Sequence, residues 1–563
     1  MSDKKEAGVT FNWNAVEEHG GAELFDELAK GSTGKMHRLN VGDMALRAAM
    51  QKGQEDAAGR NFLLELGKKL VLAAWEAEPL DGGTASQLLA LDSMQPFLSP
   101  SVRNAAAAVK ESWKQPEDLR YLNRLLQKRD AELTLSYLDK QATKDSANTF
   151  WMQQHLAVAA YEGMFDRGMA AIASATLPEP VKKRLLADWK FLQRDFEGAA
   201  VLYEQAWSES SPEVTEHLIR RAEALIRAGA RDDATRVWKS ALVRRGWDSS
   251  LTLRLHDVLT GFDMKKTKPE GRGAVLLYTW NKDSALDIAL GSLFASELYD
   301  AGIVVLNNGS TDETPAVLQK WQQTFGERMH VVTLPCNVGA PAARNWLMHL
   351  SELDDCSWVA YLDDDVDLPV DWLGRLGAVK QEFADAAAWG CRVVDHANPA
   401  LMQAVDMHVD PAPEQTPEEI ASSGERRFTV STLHHQDMDF GQFAYARPCA
   451  TVTGCCHMFS LKALRAGGGF DLRYSPSQYD DLEHDLRHVL QGRVPVYQGH
   501  LVVRHMKRSG KAAVSSMPEH GNASSNLYKL HMRYTIEEYD IMRRNNAAAI
   551  KQDLLHKVSV LAG

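Results

Sequence analysis

The densest chemistry in the chain lies where an apolar run, Trp358-Val359-Ala360-Tyr361-Leu362, stops at Asp363, Asp364, Asp365 and Asp367. A short apolar run bounded by a turn reads as a buried strand, and open α/β sheets bind their ligands at the carboxyl ends of strands. Carboxylates gathered at such an end repel one another. A hard divalent cation, Mg²⁺ or Mn²⁺, relieves that repulsion, because it takes carboxylate oxygens and completes its shell with substrate phosphates. The plainer alternative is an acidic, solvated loop. The two differ in whether neighbouring strand ends carry groups that suit the same ligand.

The elements around that run alternate. Ala274-Val275-Leu276-Leu277-Tyr278 and Ile303-Val304-Val305-Leu306 read as strands, as do Met329–Leu334 and Trp358–Leu362, with helices over Ser284–Ser296, about Thr314–Phe325 and about Ala340–Ser351. Repeated βα units predict a mostly parallel sheet with covered faces and right-handed crossovers. Upstream, residues 14–262 are rich in Ala, Leu, Glu, Arg and Gln and contain no cysteine, which is helical composition. Asp195-Phe196-Glu197-Gly198-Ala199, followed by Tyr203 and Ala206, recurs as Arg231-Asp232-Asp233-Ala234, followed by Trp238 and Ala241. Small Ala where helices cross, with aromatics between, looks like part of a tetratricopeptide repeat over about residues 145–260. Such an array offers a concave surface to a protein or peptide; a plain helical domain that packs only on its neighbour is the alternative. Trp189, Trp207 and Trp238 are expected in its core. The predicted organisation is an all-helical domain (1–262), a basic Gly- and Pro-containing linker (263–273), an α/β domain (274–510) and a helical extension (511–563).

Four motifs stand in order at the strand ends: Tyr278-Thr279-Trp280-Asn281-Lys282, then Asn307-Asn308-Gly309-Ser310-Thr311-Asp312, then Asn337-Val338-Gly339-Ala340 through Arg344-Asn345, then Leu362-Asp363-Asp364-Asp365. In this order and spacing they resemble glycosyltransferase family 2 with the GT-A fold, over roughly residues 272–510. The resemblance implies that Thr279, Trp280 and Asn281 meet the nucleotide base and that Asn308 lies beside it. It implies that Asp363 faces ribose or metal and that Asp365, the end of an Asp-X-Asp motif with Asp364 between, ligates the cation. Asn307-Asn308 replaces the family's usual Asp, and an amide both donates and accepts, so it suits a different base edge. Asn337, Gly339 and Arg344 form a loop into a helix start, suited to anion capture and a guanidinium clamp. Gly467-Gly468-Gly469-Phe470-Asp471 followed by Asp480-Asp481 resembles the acceptor side, with Asp481 in the place of the general base and Asp480 beside it. His505, at the end of Leu501-Val502-Val503-Arg504-His505, is expected to contact the metal or diphosphate. Lys507, Arg508 and Lys511 are placed on a loop over the phosphates. His396, His408, His434 and His435 fall in a stretch, 395–447, expected to cover the acceptor site.

Composition sets outer bounds. The 563 residues carry a net charge of −12, with 45% hydrophobic and 25% charged residues. That balance gives no electrostatic case for nucleic acid as partner. No run approaches the roughly 18 apolar residues of a membrane span, and the N-terminus lacks a signal-peptide core, so the expected location is cytoplasmic. Cys336, Cys356, Cys391, Cys449, Cys455 and Cys456 are expected reduced and buried. The function expected is a metal-dependent, inverting glycosyltransferase using Mn²⁺ or Mg²⁺ and a nucleotide-sugar donor, UDP-sugar first with the other bases open. The acceptor is a glycan or a protein; a polysaccharide or lipid-linked acceptor, or a catalytically idle scaffold, are the alternatives.

Overall fold

A computed structural model of the chain describes residues 11–31, 34–431, 437–508 and 517–562. It divides into two compact units, one of residues 1–259 with 436–442 and 554–563, the other of residues 260–435 and 443–553. Lys511, His434 and His435 lie outside the described residues.

The first unit is all helical, with fifteen α-helices between Trp13 and Thr260 among the described residues. Three successive hairpins pair Thr149–Tyr161 with Phe165–Ser174, Glu179–Leu192 with Phe196–Ala206, and Glu216–Arg227 with Arg231–Arg244. All three turn in the same way. The left-handed residue is Gly163 (φ 71°), Arg194 (φ 68°) and Gly229 (φ 88°) in turn. The next amide reaches back five residues each time, Met164 to Ala159 O (2.8 Å), Asp195 to Lys190 O (2.9 Å) and Ala230 to Leu225 O (2.9 Å). This is the Schellman closure of a helix C-terminus. Ala199, Tyr203 and Ala206, and their counterparts Ala234, Trp238 and Ala241, are all buried, as are Trp189 and Trp207.

Ion pairs lie inside this unit. Arg245 holds Glu216 at 2.6 Å and also pairs with Glu76, Arg38 reaches Glu216 at 3.0 Å, and Arg220 reaches Asp188 at 3.0 Å. Glu76 accepts the amides of Thr215 (2.6 Å) and Glu216 (2.8 Å) besides. The short segment 437–442 belongs to the same unit: the Arg220 guanidinium sits 3.8 Å from the Phe440 ring centre, and Arg227 lies 3.4 Å from Asp439.

The second unit has twelve strands among the described residues, ten of them in one sheet. These are β1 (Gly273–Thr279), β2 (Gly302–Asn307), β3 (Met329–Thr333), β4 (Trp358–Leu362), β5 (Val366–Asp367), β6 (Trp389–Asp395), β7 (Met402–Ala404), β8 (Val409–Pro411), β9 (Phe428–Val430), β10 (Ala446–Pro448), β11 (Cys456–Ser460) and β12 (Val496–His505). The main path of the sheet runs β10-β12-β6-β11-β4-β1-β2-β3, with β5 paired to β12 and β7 to β6, while β8 and β9 form a separate ribbon. The half β4-β1-β2-β3 is wholly parallel, with helices Asp283–Phe294, Thr314–Phe325 and Ala340–Met348 between its strands. β11 enters antiparallel beside β4 and opens the mixed half. Strands this apolar stay in the centre of the sheet because both faces are covered: all of β4 and β6 is buried. The stretch expected as a linker lies on this unit, with Thr267 N donating to Gly374 O (2.9 Å) and Lys266 paired to Asp371 (3.0 Å). The helices Met517–His531 and Ile536–Ala562 follow, and Tyr534, Tyr539 and Met542 pack against Leu486 and Val489. Among the described residues no helix is long and apolar enough to cross a membrane.

Candidate active site

Two parallel strands and one antiparallel return bring the acidic cluster together. β4 delivers Asp363 at its carboxyl end, and the Asp363 amide donates to Cys455 O (2.9 Å), just before β11. Past Asp365 the chain forms β5, which pairs antiparallel with the end of β12 so that Val366 faces His505. Met506 N closes this pairing on Asp365 O at 2.9 Å. One ligand atom from each of Asp363, Asp365 and His505 then lies within 4.8 Å of the others. His505 Nε2 is 3.1 Å from Asp365 Oδ1, and its Nδ1 is 2.9 Å from Gln403 Oε1 on β7. The amide oxygen of Gln403 can only accept. The proton therefore belongs on Nδ1, and Nε2 faces the carboxylates.

Charge sets the protonation of this group. Burial, opposed by Arg344 and reinforced by Asp365, raises the Asp363 carboxyl to about 6. Burial would raise Asp365 too, but His505 and Lys282 hold it well below the carboxylate range. Burial acts against the imidazolium of His505, and Asp365 and Asp363 overcome it and raise its pKa. Asp364 turns away to Lys282, whose Nζ lies 3.1 Å from its Oδ1 and 2.7 Å from Asp365 Oδ2. Asp367 does not join the cluster expected from sequence: it sits on β5, facing Arg504 and His396 at 3.6 Å each, because the strand's alternation turns it aside.

The second acidic pair starts helix Asp480–Leu490. Gln478 (φ 78°) and Tyr479 (φ 71°) are both left-handed just before it, a strained approach of the kind found at functional sites. Asp481 Oδ2 accepts the Gly454 amide at 2.8 Å. Asp480 is buried and accepts from Arg344 Nη1 at 2.7 Å, while Arg344 Nη2 lies 3.6 Å from Asp363. Arg344 is thus committed to carboxylates on both sides and packed 5.4 Å from the Tyr278 ring and 5.2 Å from Phe470. Gly454-Cys455 is the physical link: the Gly454 amide donates to Asp481 and the Cys455 carbonyl accepts from the Asp363 amide.

The predicted base-binding corner is a set of locked turns. Asn307 Oδ1 accepts Ser310 N (3.0 Å); Asn308 accepts Val338 N (3.0 Å) and donates to Asn337 Oδ1 (2.9 Å). The Asn308 amide thus makes one bond at each end within the protein. At the helix start the amides of Val338, Gly339 and Ala340 likewise donate within the protein, to Asn308 Oδ1, Asn337 Oδ1 (2.8 Å) and Pro476 O (2.7 Å). Asn281 (φ 52°) accepts Thr311 N at 2.8 Å. Thr279 is fully buried, while Trp280 is half exposed beside these turns. Four cysteines are buried, but Cys336 is exposed and Cys356 partly so.

Residues 274–468 match the family model described as glycosyl transferase family 2. The chain carries a family 2 glycosyltransferase domain. A search among curated proteins finds no significant match. Among solved structures, the chain is similar to GalNAc-T7, determined with UDP, GalNAc and Mn²⁺, at 14% identity over 48% of this chain and 49% of that one, TM-score 0.35. It is also similar to TarS of S. aureus (14% identity, 42% of this chain and 36% of that one, TM-score 0.30). A third likeness is to the mannosyltransferase PcManGT from Pyrobaculum calidifontis with GDP-Man and Mn²⁺ (13% identity, 60% of this chain and 85% of that one, TM-score 0.33). The chain thus spans about half the length of the first of these and about a third of the second.

Two residues that contact the acidic group, Lys282 on Asp365 and Gln403 on His505, are not singled out by the sequence. Lys282 reads there as the tail of a strand-end motif, and Gln403 as one polar residue in a covering loop. A lysine following a strand end on the Asp side of a parallel pair is the signal available for the first; nothing local marks the second.

Proposed function

We propose that the chain is a metal-dependent, inverting glycosyltransferase that moves a sugar from a nucleotide-diphosphate donor to an acceptor hydroxyl. The observation that carries this reading is the convergence of Asp363, Asp365 and His505 at one strand end of the family 2 domain. Two carboxylates and an imidazole suit Mn²⁺ or Mg²⁺, and the fixed tautomer of His505 leaves Nε2 as a ligand. Bound there, such a cation supplies charge to stabilise the departing diphosphate. The protein's own groups do the rest. Asp481, held by the Gly454 amide, takes the proton from the acceptor hydroxyl as its oxygen bonds to the anomeric carbon and the carbon–diphosphate bond breaks. Arg344 pairs with Asp480, the carboxylate beside that base. The half-exposed Trp280 ring offers a stacking face to the base.

UDP-sugar is the first donor to test, with GDP-, CDP- and dTDP-sugars beside it. A screen for donor hydrolysis with and without Mn²⁺ is expected to show cation-dependent turnover of one donor, lost by about 10²-fold or more in Asp365→Ala and Asp481→Ala. Turnover indifferent to Mn²⁺ and to Asp365 would exclude the metal role. A protein is the acceptor class we favour, supported by the row of three hairpins with the same turn closure in the helical unit. Sugar-labelled donor, incubated with an extract of the source cells, should then yield a product destroyed by protease and not extracted by organic solvent.

A further inference from the structure

The acidic strand end already contains a cation. Lys282 Nζ bridges Asp365 Oδ2 (2.7 Å) and Asp364 Oδ1 (3.1 Å), and Asp365 supplies its other oxygen to His505. The lysine is not there by the chance of a flexible surface chain, because its backbone is fastened. Asn281 N donates to Ser310 Oγ (3.1 Å), Thr311 N to Asn281 Oδ1 (2.8 Å), Lys282 N to Thr314 Oγ1 (3.3 Å) and Asp283 N to Asp312 Oδ2 (3.4 Å). These four bonds sew the turn after β1 to the turn after β2. The side chain is 39% exposed, so it can leave Asp365 without unfolding anything. Arg344, by contrast, is buried and held by Asp480, and the amides at 338–340 are spent.

We infer that Lys282 is a built-in counter-cation. It holds Asp364 and Asp365 while no divalent ion is bound, competes with such an ion for the Asp365 carboxylate, and turns to a diphosphate once displaced. This rests on the metal reading above and deepens it, since it names the residue that sets how tightly the site takes its ion before the donor arrives.

The test measures Mn²⁺ binding to the full chain by electron paramagnetic resonance of the free ion, for wild type, Lys282→Met, Lys282→Arg and Asp365→Ala. Lys282→Met is expected to bind Mn²⁺ roughly three- to tenfold more tightly than wild type, the size of a partly exposed competing charge. Lys282→Arg should restore the wild-type value, and Asp365→Ala should lose binding. With Mn²⁺ saturating, inorganic pyrophosphate should bind several-fold more weakly to Lys282→Met. Equal Mn²⁺ affinity in wild type and Lys282→Met, with binding lost in Asp365→Ala, would overturn the counter-cation and leave the metal site standing. Unchanged pyrophosphate binding would overturn the second role. Mn²⁺ binding that ignores Asp365 would remove the metal reading, and this inference with it.

Discussion

Gly454 is the point where the two acidic groups leave no room for a side chain. A Cβ there would meet Asp481 Oδ2 at 2.7 Å and Arg344 Nη2 at 2.9 Å, so Gly454→Ala must push the proposed base away from its amide. Since a shift of about 1 Å in a reacting group costs about 10²-fold, we expect a loss of that size in turnover with the melting temperature little changed; full activity would show that Asp481 needs no such placement. One turn further along the same helix, Asp485 accepts from Thr451 Oγ1 (2.8 Å) and Val452 N (3.1 Å), and burial raises its carboxyl to about 7. A carboxyl bound more tightly to its proton when folded contributes stability that is complete below its unfolded value of about 4 and lost as pH rises through about 7. Asp485→Asn should therefore flatten the decline in melting temperature between those limits, as read by scanning calorimetry across pH. The grouping of Asp363, Asp365 and His505 was legible because chemistry and position coincide there. Contacts were hidden where the partner lies far along the chain: Lys282 is 83 residues from Asp365 and Gln403 is 102 from His505.

Elements were legible where hydrophobic period and flanking turns agree. The helix expected over Thr314–Phe325 and the strand over Trp358–Leu362 have those bounds in the structure. The helix expected from Ala340 ends at Met348, followed by a short 3₁₀ turn over Ser351–Leu353. Residues 395–447 carried too little periodicity to reveal β7, β8, β9 and β10, three residues each; strands that short are defined by their partners and not by their own pattern. In the helical unit the hairpin turns repeat more faithfully than the sequence does. The left-handed position is Gly at 163 and 229 but Arg at 194, and a non-glycine residue there costs about 1 kcal/mol. Arg194→Gly should stabilise the unit by up to about that much in a denaturant titration, whereas Gly229→Ala should destabilise it by a similar amount. A destabilised Arg194→Gly would mean that the side chain contributes more than its backbone costs.

The whole molecule joins a conventional apolar sheet to a helical unit with charges in its interior. Arg245, buried between Glu76 and Glu216, is the centre of that charge, and composition alone gave no hint of it because a count of 63 basic and 75 acidic residues is silent on where they sit. Removing one member of a buried pair strands the others, at a cost of about 3–5 kcal/mol. Arg245→Ala is expected to lower helical stability by that amount in far-UV circular dichroism; a cost under about 1 kcal/mol would mean the carboxylates find water or protons. The cysteines carry a practical consequence at this scale. Burial slows thiol reagents, four of the six are buried, and the exposed one, Cys336, lies against Gly309, where a Cβ would come within 2.6 Å of the Cys336 backbone. The chain therefore carries its own footprinting handle: under brief maleimide treatment Cys336 should alkylate first, and the true donor nucleotide, once found, should slow that reaction while nucleotides that do not bind leave it unchanged.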